Sequence, residues 1–127
     1  MKTRNQIIGK RGEEEACSFL IGEGQRIVRR NWRSGHLEVD IISLKDKVLH
    51  IVEVKTRSKS IIAPPETKVN WEKQRRLIRA ANAFVNGPAR AGLPANLEIQ
   101  FDVLTVIFAE PAPLIEYFPA AFLPIYV

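Results

Sequence analysis

The sequence predicts an α/β domain with a mixed β-sheet flanked by helices, in the order α-β-β-β-α-β-β. Three observations carry this. Small and apolar residues recur at helical spacing near the N-terminus and again over 68–86. Between these stretches lie three strand-like runs separated by turn-forming Gly, Ser, Asp and Lys. Another strand-like run follows the second helical stretch, so helices and strands interleave along 127 residues, the length of one domain. The chain therefore reads as a single domain over 1–127, with a core over about 5–110 and an apolar tail over 111–127.

The first helix is expected over 5–22. Its packing face holds Gly9, Gly12, Ala16, Phe19 and Leu20, with Glu13 at the edge and Glu14 turned away. Each glycine costs roughly 1 kcal/mol of helix propensity, which points to close backbone approach. A carboxylate beside a packing face needs a partner unless Glu13 is simply a half-exposed flank residue.

Strands follow over 26–33, 37–44 and 48–56, with turns at Arg33-Ser34-Gly35-His36 and Lys45–Lys47. Alternation sets Leu37, Val39 and Ile41 on one face and Glu38 and Asp40 on the other. A hairpin centred between Asp46 and Lys47 would oppose Asp40 to Glu53 and Glu38 to Lys55. Like charges directly opposite are destabilising. Two close carboxylates need a compensating charge, and a divalent cation supplies one. Lys55 shares the face of Glu53 and has the chemistry to position a water or stabilise developing negative charge. The plainer alternative is a polar outer face with a Glu38–Lys55 ion pair, worth only about 0–1 kcal/mol when exposed.

The second helix is expected over 68–86 with the stripe Val69, Leu77, Ala80, Ala81 and Phe84. Lys73 falls on that stripe, either as a functional cation or with its stem on apolar surface and its amine in water. Arg75, Arg76 and Arg79 lie on other sides, a solvated face unless the helix borders the acids. A strand over 98–108, a short strand over 113–117 and a last apolar turn complete the order.

Composition narrows the function classes. One cysteine, Cys17, excludes an internal disulfide framework and paired-cysteine metal or redox motifs, and fits a reducing, cytoplasmic setting. No apolar run is long enough to span a membrane, and the basic start lacks the apolar core of a signal peptide. His36 and His50 are too scattered for a zinc centre, and no Gly-rich phosphate loop or Ser-His-Asp order offers another chemistry. Residues 1–90 hold all 19 basic residues against ten acids, a balance of +9, while 91–127 hold four acids and no base. Such a basic body attracts polyanions, nucleic acid above all, through Coulomb attraction and counterion release.

The spacing Asp40…Glu53-Val54-Lys55 resembles the PD-(D/E)xK nuclease core. More widely, the chain resembles the YraN family of bacterial proteins related to Holliday-junction resolvases and restriction endonucleases. The matching segments are Gly9-x-x-Gly12-Glu13-x-x-Ala16, Arg30-Asn31-Trp32-Arg33, Glu38-Val39-Asp40-Ile41-Ile42 and Val52-Glu53-Val54-Lys55-Thr56-Arg57. Further matches are Pro65-Glu66, Val69-Asn70, Lys73-Gln74-Arg75-Arg76-Leu77, Phe101-Asp102-Val103 and the tail around Ile115–Phe122. Leu37 and Ile62-Ala63 depart from the family's pattern, at positions where it has glycine and an aromatic-Gly pair.

The resemblance implies a restriction-endonuclease-like three-layer core and a catalytic set of Glu13, Asp40, Glu53 and Lys55. It implies Mg²⁺ or Mn²⁺ held by Asp40 and Glu53, with the Val54 carbonyl and Glu13 completing the set. Arg57, Lys73, Arg75, Arg76 and Arg79 are then expected to grip a nucleic-acid backbone, DNA before RNA, with branched DNA among the candidate substrates. Two other readings stay open. One is a binding module that keeps the fold without cutting. The other is an interaction protein whose tail, with Phe118, Phe122 and Tyr126, forms a homodimer contact rather than packing on its own sheet.

Overall fold

Thr3 starts the first helix by a reciprocal cap. Its hydroxyl accepts the Gln6 N–H at 3.1 Å, while the Gln6 side chain accepts the Thr3 N–H at 2.9 Å. In the computed structural model, which describes residues 2–58 and 69–124, α1 runs Arg4–Gly22. Then come β1 (Arg26–Ser34), β2 (Leu37–Lys45), β3 (Val48–Ser58), α2 (Trp71–Val85), a 3₁₀ turn at Pro88–Arg90, β4 (Glu98–Phe108) and β5 (Leu114–Phe122). The expected element order is the observed one.

The five strands form one sheet in sequence order. The β1–β2, β2–β3 and β4–β5 pairs are antiparallel, and β3–β4 is parallel. The parallel pair requires a long crossover, which α2 supplies. Asn70 caps that helix, its side chain accepting the Lys73 N–H at 2.9 Å, so α2 starts three residues later than expected. Val69 therefore precedes the helix instead of lying on its stripe, yet it is buried in the same core.

Each face of the sheet carries one core. On the α2 side, Leu77, Ala80, Ala81 and Phe84 pack with Val39, Ile42, Leu44, Leu49 and Ile51. On the α1 side, Ala16, Cys17 and Leu20 pack with Ile41, Val52, Leu104 and Val106. Gly12 permits the α1 contact, since a Cβ there would lie 2.0 Å from Thr56 Cγ2. Gly9, expected to serve the same approach, has nothing within 4 Å of a built Cβ.

Two expectations need correction. Leu37, Val39 and Ile41 do not share a face, because Leu37 and Val39 pack on the α2 side and Ile41 on the α1 side. The alternation of β2 turns over at Asp40, where its ladder with β3 has just ended. The tail also does more than make a short strand and a turn. Leu114–Phe122 hydrogen-bonds along β4 as a full edge strand, and Phe122 stacks on Phe101 at 4.9 Å. The departures at Ile62-Ala63, the Pro65-Glu66 match and Tyr126 lie outside the described residues.

Candidate metal and nucleic-acid site

The β2–β3 ladder runs from Lys45↔Val48 to Ile41↔Val52, the register expected of a hairpin centred between Asp46 and Lys47. Asp40 and Glu53 come next, at its open end, and do not continue the ladder. The Asp40 carboxylate accepts the Val54 backbone N–H at 2.8 Å, standing in for the strand–strand bond lost there. A strand residue points its N–H and C=O to the same side, so the Val54 carbonyl also faces this gap.

Asp40 and Glu53 meet through their side chains. Burial, then the hydrogen bond and the charge of Glu53, push the Asp40 carboxyl up to about 8. The Val54 N–H pulls the other way, and the charge of Glu13 adds to the rise. Two carboxyls joined by a hydrogen bond hold one proton between them. Glu53, only 14% exposed at its side chain, is also met by Lys73 Nζ at 3.4 Å. Lys73 thus sits against the acids from the first turn of α2, where its stripe position placed it.

The remaining site residues fall around this pair. Glu13 acts on Asp40 through its charge and also lines a cleft between α1 and β1. Among the described residues, no three His, Cys, Asp or Glu side chains stand close enough to form a ligand set by themselves. Asp40 and Glu53 are therefore the joined pair, and Glu13 is an outlying third charge. Lys55 and Arg57 follow Glu53 at two-residue steps along β3 and are half-buried. Arg75, Arg76 and Arg79 share with Glu72 one exposed stripe of α2, enclosing about 280 Å³. Glu38, proposed as a partner for Lys55, has an ion pair with its β1 neighbour Arg33 at 3.3 Å.

Two clusters escaped the sequence reading. One is buried on the α1 side of the sheet, where Asp102 lies level with Val52, one rung from Glu53. There Asp102 accepts hydrogen bonds from His50 Nδ1 (2.7 Å), Gln100 (2.9 Å), the Ala120 N–H (2.9 Å) and the Tyr117 hydroxyl. Gln25 donates to the Tyr117 hydroxyl at 3.0 Å and accepts from Ser43. Burial alone would raise the Asp102 carboxyl, but these donors more than reverse that and hold it below its ordinary value. The second is the α1–β1 cleft, of about 690 Å³, where Arg30, Asn31 and Arg33 join Lys2, Lys10 and Glu13. Its signal was in plain view as Arg30-Asn31-Trp32-Arg33, but regular strand alternation would send Arg30 and Asn31 to opposite faces, and only the backbone turn at Asn31 brings them together. No helix is long and apolar enough to cross a membrane.

The model of the uncharacterised protein family UPF0102 matches residues 12–106, a span holding Glu13, Asp40, Glu53, Lys55 and Lys73. The chain is 39% identical to a UPF0102 protein of Bacteroides thetaiotaomicron over 124 residues, 98% of each chain. It is 37% identical to one of Parabacteroides distasonis over 119 residues, 94% of each. A third, of Chloroherpeton thalassium, is 41% identical over 106 residues, 84% of this chain and 79% of its own.

Proposed function

The chain belongs to the UPF0102 family, and from that premise we propose that it is a metal-dependent nuclease of the PD-(D/E)xK kind, cutting phosphodiester bonds in DNA. The observation that carries this reading is the Asp40–Glu53 pair. Where this protein buries a carboxylate for structure, at Asp102, it supplies four hydrogen-bond donors. At Asp40 the described partners are one backbone N–H and a second acid. The price of that arrangement is a proton shared at neutral pH, and a divalent cation is the ligand that removes the conflict.

The donor set fits Mg²⁺ or Mn²⁺. Asp40, Glu53 and the Val54 carbonyl would hold the ion, with Glu13 reaching it directly or through water. Bound there, the ion supplies an activated water and stabilises charge on the phosphate.

The chain's own groups do the rest. Lys55, on the face of Glu53, positions the attacking water and offsets the negative charge that builds on the phosphate. Lys73 holds the Glu53 carboxylate from α2 and offers a cation to the same phosphate. Arg57 and the Arg75, Arg76 and Arg79 stripe grip the backbone, which positions the substrate without reading its sequence.

The test is cleavage of linear and branched DNA with Mn²⁺ or Mg²⁺. Wild type is expected to cut, and Asp40→Ala and Lys55→Ala to lose at least roughly a hundredfold in rate. Equal activity in all three ends the catalytic reading. The basic surface away from the acids also suits a second reading, a nucleic-acid-binding protein that keeps the fold without cutting. Salt-dependent binding by wild type with no metal-dependent cleavage would select it.

A further inference from the structure

We propose that the cleft between the N-terminal half of α1 and the C-terminal half of β1 is a second phosphate track, holding the backbone of one DNA strand on the face of the sheet opposite α2. The identity of the polymer rests on the nucleic-acid reading above; the track itself rests on charge and backbone geometry.

The charge is one-sided. Lys2, Lys10, Arg30 and Arg33 line the cleft against the single acid Glu13, and among the described residues Arg33 is the one of the four in an ion pair, with Glu38 at 3.3 Å. Lys2 and Lys10 stand so close that the neighbouring Lys10 holds the Lys2 ammonium below its ordinary value, with Glu14 offsetting part of this. Gathered cations of this kind suit a polyanion better than a single small acid. The cleft is open, about 690 Å³, and its basic walls are exposed. Gly9 leaves open space on the α1 wall where another residue would project a side chain.

The backbone geometry is specific. Asn31 lies in mid-strand with φ +50°, a left-handed conformation uncommon outside glycine. It breaks the alternation of β1, so the consecutive residues Arg30 and Asn31 line the same cleft. In the β1–β2 register, Asn31 falls between the Arg30↔Ile41 and Trp32↔Val39 pairs, directly across from Asp40. Asp40 is where β2 changes faces and sends its carboxylate to Val54. One kinked rung of the sheet therefore presents the cleft cations on β1 and the acid on β2, with Glu13 on the cleft wall between them. Backbone strain held at such a point is expected where geometry serves a ligand.

The experiment measures binding of a fluorescein-labelled DNA strand, alone, as a duplex and as a fork, by anisotropy in EDTA over a range of salt. Lys10→Gln/Arg30→Gln, at two exposed positions, is expected to weaken binding roughly tenfold or more. It should also make the plot of log Kd against log salt shallower by about 2. Lys10→Glu, a single change on an exposed helix surface, is the folding-safe version and should weaken binding further than Lys10→Gln. Affinity and salt slope equal to wild type in these variants, with unchanged melting temperature, would overturn the track. The nuclease reading fails separately: wild type that binds DNA with the expected salt slope in EDTA but never cuts with Mg²⁺ or Mn²⁺ ends that reading and leaves the track standing.

Discussion

At Asp40 the chain places a carboxyl where burial and a second carboxyl both oppose its charge. The sign of the consequence is fixed. Its folded value, about 8, lies above an unfolded value near 4, so the native state keeps the proton longer. Stability from that proton is complete below about 4 and is lost as pH rises through about 8. Metal-free wild type is therefore expected to lose thermal stability steadily across that window. Asp40→Asn keeps an acceptor for the Val54 N–H but cannot ionise. It should flatten that slope and melt a few degrees above wild type at pH 8, read by calorimetry in EDTA. The two helix glycines make a second test, because they look alike in the sequence and differ in their surroundings. Gly12→Ala forces a methyl onto Thr56 and should cost about 1–3 kcal/mol. Gly9→Ala meets open space and should stabilise by up to about 1 kcal/mol. Spacing marked both glycines; only the packing of Thr56 tells them apart.

At the scale of elements, most of the architecture was legible because local chemistry and the fold agree. Thr3 and Asn70 cap helices whose apolar stripes pack on opposite faces of the sheet, and the β2–β3 hairpin takes the register its turn dictates. What escaped the sequence reading depends on neighbours distant in the chain. Strand β5 carries Pro119 and two alanines that favour strands poorly, so its length is set by pairing with β4 and not by its own pattern. The pairing of Asp102 with His50 spans 52 residues, and Tyr117 reaches the same carboxylate from β5. That cluster makes its own prediction. The folded value of Asp102 lies below the unfolded one near 4, so its stabilisation is present above about 4 and is lost as pH falls through the lower folded value. Asp102→Asn should destabilise at pH 7 by about 2–4 kcal/mol, and its deficit against wild type should shrink below pH 4 in denaturant titrations. Within β4, Thr105 is buried with its hydroxyl unpartnered, so Thr105→Val should raise the melting temperature.

Over the whole molecule, two neighbouring rungs of the sheet handle buried charge in opposite ways. One surrounds Asp102 with donors and ties β3, β4 and β5 together. The other lies where the β2–β3 ladder opens and leaves two acids facing each other, with Lys73 against Glu53. A structural reading of the second would have to explain why the same chain satisfies a carboxylate so fully at the first. The ligand reading makes a prediction without any catalytic assay. An ion that binds only the native state stabilises by about 2.7 kcal/mol at a hundred times its Kd. Mg²⁺ or Mn²⁺ should therefore raise the melting temperature of wild type at pH 8 and do so much less at pH 5, where the acids hold their proton and the ion must displace it. Glu53→Gln should lose the metal-dependent rise at both pH values while keeping a normal metal-free melt. A rise of equal size in Glu53→Gln would place the ion elsewhere on the molecule and leave the open end of the β2–β3 ladder without its explanation.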